Sequence, residues 1–270
     1  MHKIIFTDID GTLLGPERDL TLPTIEQFKK INHIPLILVS ARMPKQMYHL
    51  QEKLNIAGAP LIAFNGALVT SEEKTIHSTE IPLETVKALV EFNEQNSEEK
   101  IHLSLFNHNN WYVEEMDYWA NREQSNTKIT PEIKPNKEVI ELWKHEKKGA
   151  HKIMCMGEVA FIDKTFKFLE DTYGDSLHLY RSKDTYIEVA NKEVSKLTGI
   201  KILLKEKYPD FTLDDVIAFG DNYNDVEMIG AVGHGVAVEN AREEVKAVAK
   251  AVTKHHKEDG VAIYLKNLFK

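Results

Sequence analysis

Two aspartates near the start of the chain, Asp8 and Asp10, directly follow a short apolar run at residues 4–6. If that run is a buried β-strand, side chains two positions apart point the same way, so both carboxylates leave its carboxyl end together. Carboxylates this close repel each other unless one takes up a proton or a cation lies between them. A hard cation such as Mg²⁺, held by carboxylates and substrate phosphate, resolves that conflict.

The residues after the pair fit a tight turn. Gly11 lets the chain bend sharply, and Thr12 offers a hydroxyl and a backbone N–H. A calcium-binding EF-hand is excluded, because that loop needs a glycine at its sixth position and a glutamate at its twelfth. Counted from Asp8, those positions hold Leu13 and Asp19.

Three further clusters follow predicted strands or open a predicted helix. The apolar run 36–39 ends in Ser40 and Arg42, and the run 216–219 leads into an acidic segment. That segment contains Asp221, Asn224 and Asp225, while Lys196 lies near the start of a helix predicted over 194–205. Open α/β sheets bind ligands at the carboxyl ends of their strands, so these groups are candidates for one site.

These four motifs, in this order, resemble those of the haloacid dehalogenase-like superfamily, and more narrowly the Cof-type phosphatases with a class IIB cap. Subsidiary blocks of that subfamily are matched by residues 64–67 (Phe-Asn-Gly-Ala), 235–241 and 258–262. The resemblance covers nearly the whole chain. It implies phosphoryl transfer with Mg²⁺ as cofactor.

The resemblance also implies a role for each motif residue. Asp8 is the expected nucleophile, which forms an aspartyl-phosphate, and Asp10 the expected general acid and base. The expected Mg²⁺ ligands are the Asp8 carboxylate, the main-chain carbonyl of Asp10, and Asp221, with Asp225 supporting them through metal-bound water or Lys196. The residues expected to bind the phosphate or the substrate are Thr12, Ser40, Lys196 and Asn224. Arg42 either reaches the substrate or has a structural role.

Strand and helix patterns alternate up to about residue 82 and again from residue 185, which predicts an α/β core over 1–82 and 185–270. We expect a Rossmann-like parallel sheet with helices on both faces, including a strand at 185–190. Residues 83–184 do not show this regular alternation and are predicted to form an inserted α+β cap domain that sets substrate specificity. Within it, residues 121–135 form a polar stretch for which no helix or strand is predicted.

Composition excludes several classes of protein. The net charge of −8 argues against nucleic-acid binding, and no apolar run approaches the ~18 residues needed to span a membrane. With a single cysteine, Cys155, neither an internal disulfide nor a thiolate cluster can form, and we expect Cys155 to pack as an apolar residue. The histidines, including His108 and His151, are interpreted as ordinary surface or half-buried residues. A cytoplasmic, soluble protein is expected.

Three functions are compatible with these residues. The first is a Mg²⁺-dependent phosphatase acting on small phosphorylated metabolites, with sugar phosphates as the expected substrates. The second is a phosphotransferase or phosphomutase, because an aspartyl-phosphate can also be passed to another hydroxyl. The third is a non-catalytic phosphometabolite sensor, which the intact reactive groups disfavour. Dehalogenation is disfavoured because it has no use for Asp10.

Overall fold

The apolar runs of the sequence form neighbouring strands of one sheet in the computed structural model, which describes residues 3–72, 74–95 and 100–269. In chain order the strands are β1 (Ile4–Thr7), β2 (Leu36–Val39), β3 (Leu61–Ala63), β4 (Leu68–Ser71), β5 (Lys74–Ser78), β6 (His102–Asn107), β7 (Asn110–Val113), β8 (Glu132–Ile133), β9 (Lys152–Met156), β10 (Leu177–Lys183), β11 (Tyr186–Asn191), β12 (Val216–Gly220), β13 (His234–Ala237) and β14 (Ala251–Val252).

Helices connect most of these strands. They are α1 (Leu22–Lys30), α2 (Tyr48–Lys53), α3 (Leu83–Gln95), α4 (Tyr118–Thr127), α5 (Asn136–Glu146), α6 (Val159–Tyr173), α7 (Lys196–Lys207), α8 (Val226–Ala231), α9 (Glu243–Val248) and α10 (Gly260–Leu268). Among the residues the structure describes, none of these helices has the length and apolar character needed to cross a membrane.

The first sheet has the strand order β14-β13-β12-β1-β2-β3-β4-β5. The strands from β14 to β3 are parallel, and β4 is antiparallel to β3. β1, β2 and β12 are buried along their whole length, which explains their continuous apolar runs. Because Thr7 is in register with both Leu38 and Phe219, the carboxyl ends of these three strands lie side by side.

The chain divides into two compact units, which confirms the predicted fold class. The first contains Met1–His77 and Ser195–Lys270, and therefore the first sheet; the second contains Ser78–Val194. The second sheet has the order β10-β11-β9-β6-β7-β8 and is antiparallel except between β7 and β8. Its core includes side chains from three helices, Leu89 of α3, Trp143 of α5 and Leu169 of α6.

Cys155 lies in this second core, fully buried, as the sequence predicted. Burial in apolar surroundings raises the pKa of its thiol to about 12, so the sulfur stays protonated at neutral pH. Such a thiol is a packing group and a poor nucleophile.

The predicted limits of the inserted domain, 83–184, need correction. The strand predicted at 185–190 for the core is β11, which pairs antiparallel with β9 and β10 in the second sheet. An apolar, strand-like pattern specifies a strand but not the sheet it joins, because pairing is decided by distant residues. The amide of Asn191 also donates to the carbonyl of Glu80 at 3.0 Å, so the two ends of the second unit are bonded to each other.

Two helices and a short strand of the second unit were not predicted. Most of α4 and all of β8 lie in the segment 121–135 that was interpreted as polar, and α5 follows it. α4 buries only Ala120, so its sequence has no apolar stripe; it begins where the Asp117 carboxylate accepts a hydrogen bond from the Ala120 N–H. α5 buries Val139, Ile140 and Trp143, a spacing that did offer a helical signal.

Candidate active site

The strand ends of the first sheet bring the predicted acidic residues together. Asp8 follows β1 and Asp221 follows β12, and the Thr12 hydroxyl donates to the Asp221 carboxylate at 2.8 Å. Gly11, with φ +83°, allows this approach, because a Cβ at this position would collide with the same carboxylate. The turn after β1 is thereby fixed against the end of β12.

Lys196 lies between two of these carboxylates. Ser195 caps the amino end of α7 by accepting from the Thr198 N–H, which places Lys196 in the first turn of the helix. Its ammonium nitrogen is 2.5 Å from Asp8 Oδ1 and 2.6 Å from Asp225 Oδ1. The side chains of Lys196, Asp8 and Asp225 are 1%, 8% and 0% exposed, so this is a buried triad of charges.

Asp225 is occupied by protein groups at both oxygens. Oδ1 accepts from Lys196, and Oδ2 accepts from the backbone N–H groups of Asp221 and Asn222 at 2.9 and 3.0 Å. Asp225 therefore holds the lysine and the loop after β12.

Burial and neighbouring charge determine the protonation of this cluster. Burial raises the pKa of Asp8 well above its usual value, the Lys196 ammonium opposes that rise, and the charges of Asp225 and Asp221 add to it. Burial also raises the pKa of Asp221, against the hydrogen bond from Thr12. Burial alone would lower the pKa of Lys196, but the Asp225 and Asp8 carboxylates outweigh it and the pKa is raised, so the lysine stays charged.

Asp10 has a different environment from Asp8. Its carboxylate receives two parallel hydrogen bonds from Arg42, Nε to Oδ2 at 2.6 Å and Nη2 to Oδ1 at 2.7 Å, and Arg18 lies 3.7 Å from Oδ1. Although burial acts to raise the pKa of Asp10, the hydrogen bonds and charge of Arg42 outweigh it, and the pKa is lowered. Sequence reasoning left the role of Arg42 open; the structure places its guanidinium on the candidate acid–base residue.

The predicted phosphate-binding residues Ser40 and Asn224 meet at a residue to which the sequence assigned no role. The backbone N–H of Asn65 donates to the Ser40 carbonyl at 2.9 Å, and Asn65 Oδ1 accepts from the Asn224 amide at 2.9 Å. Asn65 belongs to the 64–67 block noted in the sequence. An Asn-Gly pair directly after a strand was the signal that could have identified it as a turn.

The acidic cluster fits a hard divalent cation. Asp8, Asp221 and Asp225 each offer an oxygen within 4.8 Å of the others. Because both oxygens of Asp225 already accept from protein donors, Asp8 and Asp221 are the better candidates for direct carboxylate ligands. All the candidate ligand atoms are oxygens, the ligand type preferred by Mg²⁺ over softer metals.

A second cluster, in the second unit, consists of Glu80, His108 and His151, whose potential ligand atoms also lie within 4.8 Å of one another. His151 Nδ1 accepts from the His108 backbone N–H at 3.2 Å, and its Nε2 bonds to the Ser78 hydroxyl at 3.0 Å. Burial lowers the pKa of His151 to about 3, so the ring is neutral. Since both ring nitrogens have protein partners, the ring functions in a buried hydrogen-bond network. The sequence interpretation as a surface or half-buried histidine was wrong for His151, which is 1% exposed.

Comparison with known proteins identifies the family of the chain. A family model described as haloacid dehalogenase-like hydrolase matches residues 5–265. A putative phosphatase of Haemophilus influenzae is 32% identical over 274 residues, covering 100% of this chain and 99% of that protein. A 5-amino-6-(5-phospho-D-ribitylamino)uracil phosphatase of Bacillus subtilis is 27% identical, covering 98% and 97%. The solved structure of a subclass IIB sugar phosphatase has a TM-score of 0.77 at 24% identity, covering 99% of each chain.

The chain therefore belongs to the haloacid dehalogenase-like hydrolase family. Within that family it is a phosphatase of the Cof type, and its inserted second sheet matches the subclass IIB fold.

Proposed function

We propose that the protein is a Mg²⁺-dependent phosphatase that hydrolyses small phosphorylated metabolites, with sugar phosphates as the substrate class, through an aspartyl-phosphate on Asp8. The observation that carries this proposal is the buried triad of Asp8, Lys196 and Asp225 beside Asp221. In it a carboxylate is held against a fixed positive charge at the carboxyl end of the central strand. The relatives named above as phosphatases support it, one of them by the small phosphorylated compound in its name.

In the first step an Asp8 carboxylate oxygen attacks the phosphorus, the ester P–O bond breaks, and the leaving oxygen takes a proton from the Asp10 carboxyl. In the second step Asp10, now a carboxylate, takes a proton from water, whose oxygen attacks the aspartyl-phosphate and releases Asp8. Lys196 contributes a compact positive charge beside Asp8 in both steps.

Arg42 matters for the balance between these two steps. Its two hydrogen bonds favour the Asp10 carboxylate, which is the form that the second step needs. For the first step Asp10 must carry a proton, so the guanidinium has to leave Asp10, and the substrate is the natural anion for it to meet. Arg42 thus serves Asp10 and the substrate in turn.

Mg²⁺ would be held by the Asp8 and Asp221 carboxylates and by the Asp10 main-chain carbonyl. When bound it neutralises phosphate charge and lowers the repulsion between the carboxylates. We further propose that residues 83–184, extended to the limits of the second unit, act as the specificity domain and that the enzyme works in the cytoplasm.

The test is hydrolysis of an aryl phosphate, followed by a panel of phosphorylated metabolites, by purified protein. We expect turnover with Mg²⁺, loss of turnover with chelator, and no support from Ca²⁺, whose larger shell spoils the in-line geometry. Asp8→Asn should be inactive, while Asp210→Asn, the same change at an exposed residue of the first unit, should behave as wild type. Full activity in chelator would refute the mechanism, and transfer to a sugar acceptor in preference to water would make the enzyme a phosphotransferase.

A further inference from the structure

The turn after β3, residues 64–66, has an unusual backbone. Phe64, Asn65 and Gly66 have φ values of +48°, +57° and +107°, so three consecutive residues lie in the left-handed region. Two of them carry side chains, for which this region is disfavoured. Such conformations persist only where the surroundings hold them, and they cluster at functional sites.

The contacts that hold this turn lead to predicted phosphate-binding residues. Phe64 N–H donates to the Arg42 carbonyl at 3.0 Å, and Asn65 N–H donates to the Ser40 carbonyl at 2.9 Å. Asn65 is 6% exposed, and its side chain accepts from the Asn224 amide at 2.9 Å. One buried asparagine thus bonds to the ends of β2 and β12 from the end of β3.

The next residue continues the pattern. A Cβ on Gly66 would collide with the carbonyl oxygen of Ser195, the cap residue of α7. Lys196 is the first residue of that helix, so the turn packs directly against the element that carries the buried lysine. The backbone conformation of this turn therefore sets its distances to Ser40, Asn224 and Lys196, three residues expected to bind the phosphate.

Resting on the proposed function, we propose that Asn65 is a positioning residue that orients the Asn224 amide, and with it the Ser40 strand end, for phosphate binding. A primary amide has a donor end and an acceptor end, and phosphate oxygens only accept. With Asn65 Oδ1 beside it, a flipped Asn224 amide would place two oxygens against each other. Asn65 therefore fixes the donor end of Asn224, and holds its second N–H in one direction.

The experiment compares the affinity for inorganic phosphate, measured by calorimetry with Mg²⁺ present, in wild type and in Asn65→Gly. Glycine tolerates the left-handed backbone, so the substitution removes the side chain without adding backbone strain. The matched control is Asn55→Gly, because Asn55 is exposed in the same unit and has the same φ of +57°. The same two changes are repeated in an Asn224→Ala background, and kcat and KM for an aryl phosphate are measured in parallel.

We expect Asn65→Gly to weaken phosphate binding about 10-fold or more, the size of one lost hydrogen bond to a charged group. Asn55→Gly should stay within about twofold of wild type, as is usual for surface changes. In the Asn224→Ala background, Asn65→Gly should cost little more, because its partner is already gone. If the fold-losses of Asn65→Gly and Asn224→Ala multiply in the double variant, the positioning role is overturned. Wild-type affinity in Asn65→Gly would also overturn it.

A second variant covers the case in which Asn65→Gly does not fold. Asn65→Asp keeps the acceptor and tolerates the left-handed backbone, so Asn224→Ala should lower phosphate affinity in this background by the same factor as in wild type. A factor near one would overturn the proposal. If wild type itself bound no phosphate and hydrolysed no aryl phosphate, the proposed function would fall together with this inference; a binding wild type with unaffected variants would overturn this inference alone.

Discussion

Replacing Lys196 with methionine removes the ammonium group between Asp8 and Asp225 and keeps a side chain of similar length. The two contacts, 2.5 and 2.6 Å, have almost no exposure to water. At an effective dielectric constant of about 20, each has a gross attraction of about 6 kcal/mol, most of which offsets the cost of burying the ions. Removing one partner of a buried pair typically costs ~3–5 kcal/mol, and we expect that loss of unfolding free energy at pH 7 without metal.

The loss should depend on pH with a definite sign. Burial already raises the pKa of Asp8 above its usual value, and without Lys196 it would rise further. A folded-state pKa above the unfolded one gives stability at low pH that is lost as the pH rises through the folded value. The variant should therefore recover part of its stability between pH 8 and pH 5. Mg²⁺ should also restore part, because it binds only the folded site.

The assay is urea unfolding followed by two probes. All three tryptophans, Trp111, Trp119 and Trp143, lie in the second unit, so tryptophan fluorescence reports that unit while circular dichroism reports both. The control is Lys201→Met, the same substitution at an exposed position of α7. Equal losses in the two variants, or a difference between them that does not change with pH, would refute the reasoning.

Four further outcomes are expected. Asp8→Asn should abolish turnover of an aryl phosphate while leaving the circular dichroism spectrum and phosphate affinity close to wild type, because the amide has nearly the same size and can still accept from Lys196 but cannot act as the anionic nucleophile. Asp10→Asn should slow single-turnover formation of phospho-enzyme by ~10²–10⁴-fold with a sugar phosphate and less with an aryl phosphate, whose leaving group needs little protonation. Calorimetry should show Mg²⁺ affinity nearly unchanged in Asp10→Asn and much weaker in Asp221→Asn. Burial lowers the pKa of His151 from 6.5 to about 3, so as the pH falls the unfolded chain binds a proton there before the folded protein does. The free energy of unfolding therefore drops by up to about 1.4 kcal/mol per pH unit between those two values. His151→Gln should flatten that part of the fluorescence-detected stability profile, and an unchanged slope would contradict the assignment.

The edge of the first sheet that carries the candidate site was predictable because local patterns determine it. β1, β2 and β12 are fully buried parallel strands, so each is a continuous apolar run, and the polar residue after each run falls at the same edge. Asp8, Ser40 and Asp221 were found this way. Lys196 was found from its position at a helix start, which the Ser195 cap explains.

The remaining features depend on contacts that the sequence does not encode locally. Asn65 acts through a backbone conformation and through partners at residues 40 and 224, and neither leaves a periodic signal. The pair of hydrogen bonds from Arg42 to Asp10 could not be distinguished in the sequence from a contact to substrate, because both uses need an arginine at the end of a strand. α4 was missed because it buries only one residue.

The hydrogen bond between Asn191 and Glu80 has a consequence for synthesis on the ribosome. Ile4 at the centre of the first sheet pairs with Val216, so one edge of β1 has no partner until most of the chain has been made. The inserted unit, by contrast, is continuous in sequence and can fold as soon as it emerges. Once folded, it joins residues 80 and 191 and roughly halves the loop between β1 and β12, which lowers the entropic cost of closing it by about 0.6 kcal/mol. Before that closure, the apolar edge of β1 lacks its partner strand and is open to pairing with other chains.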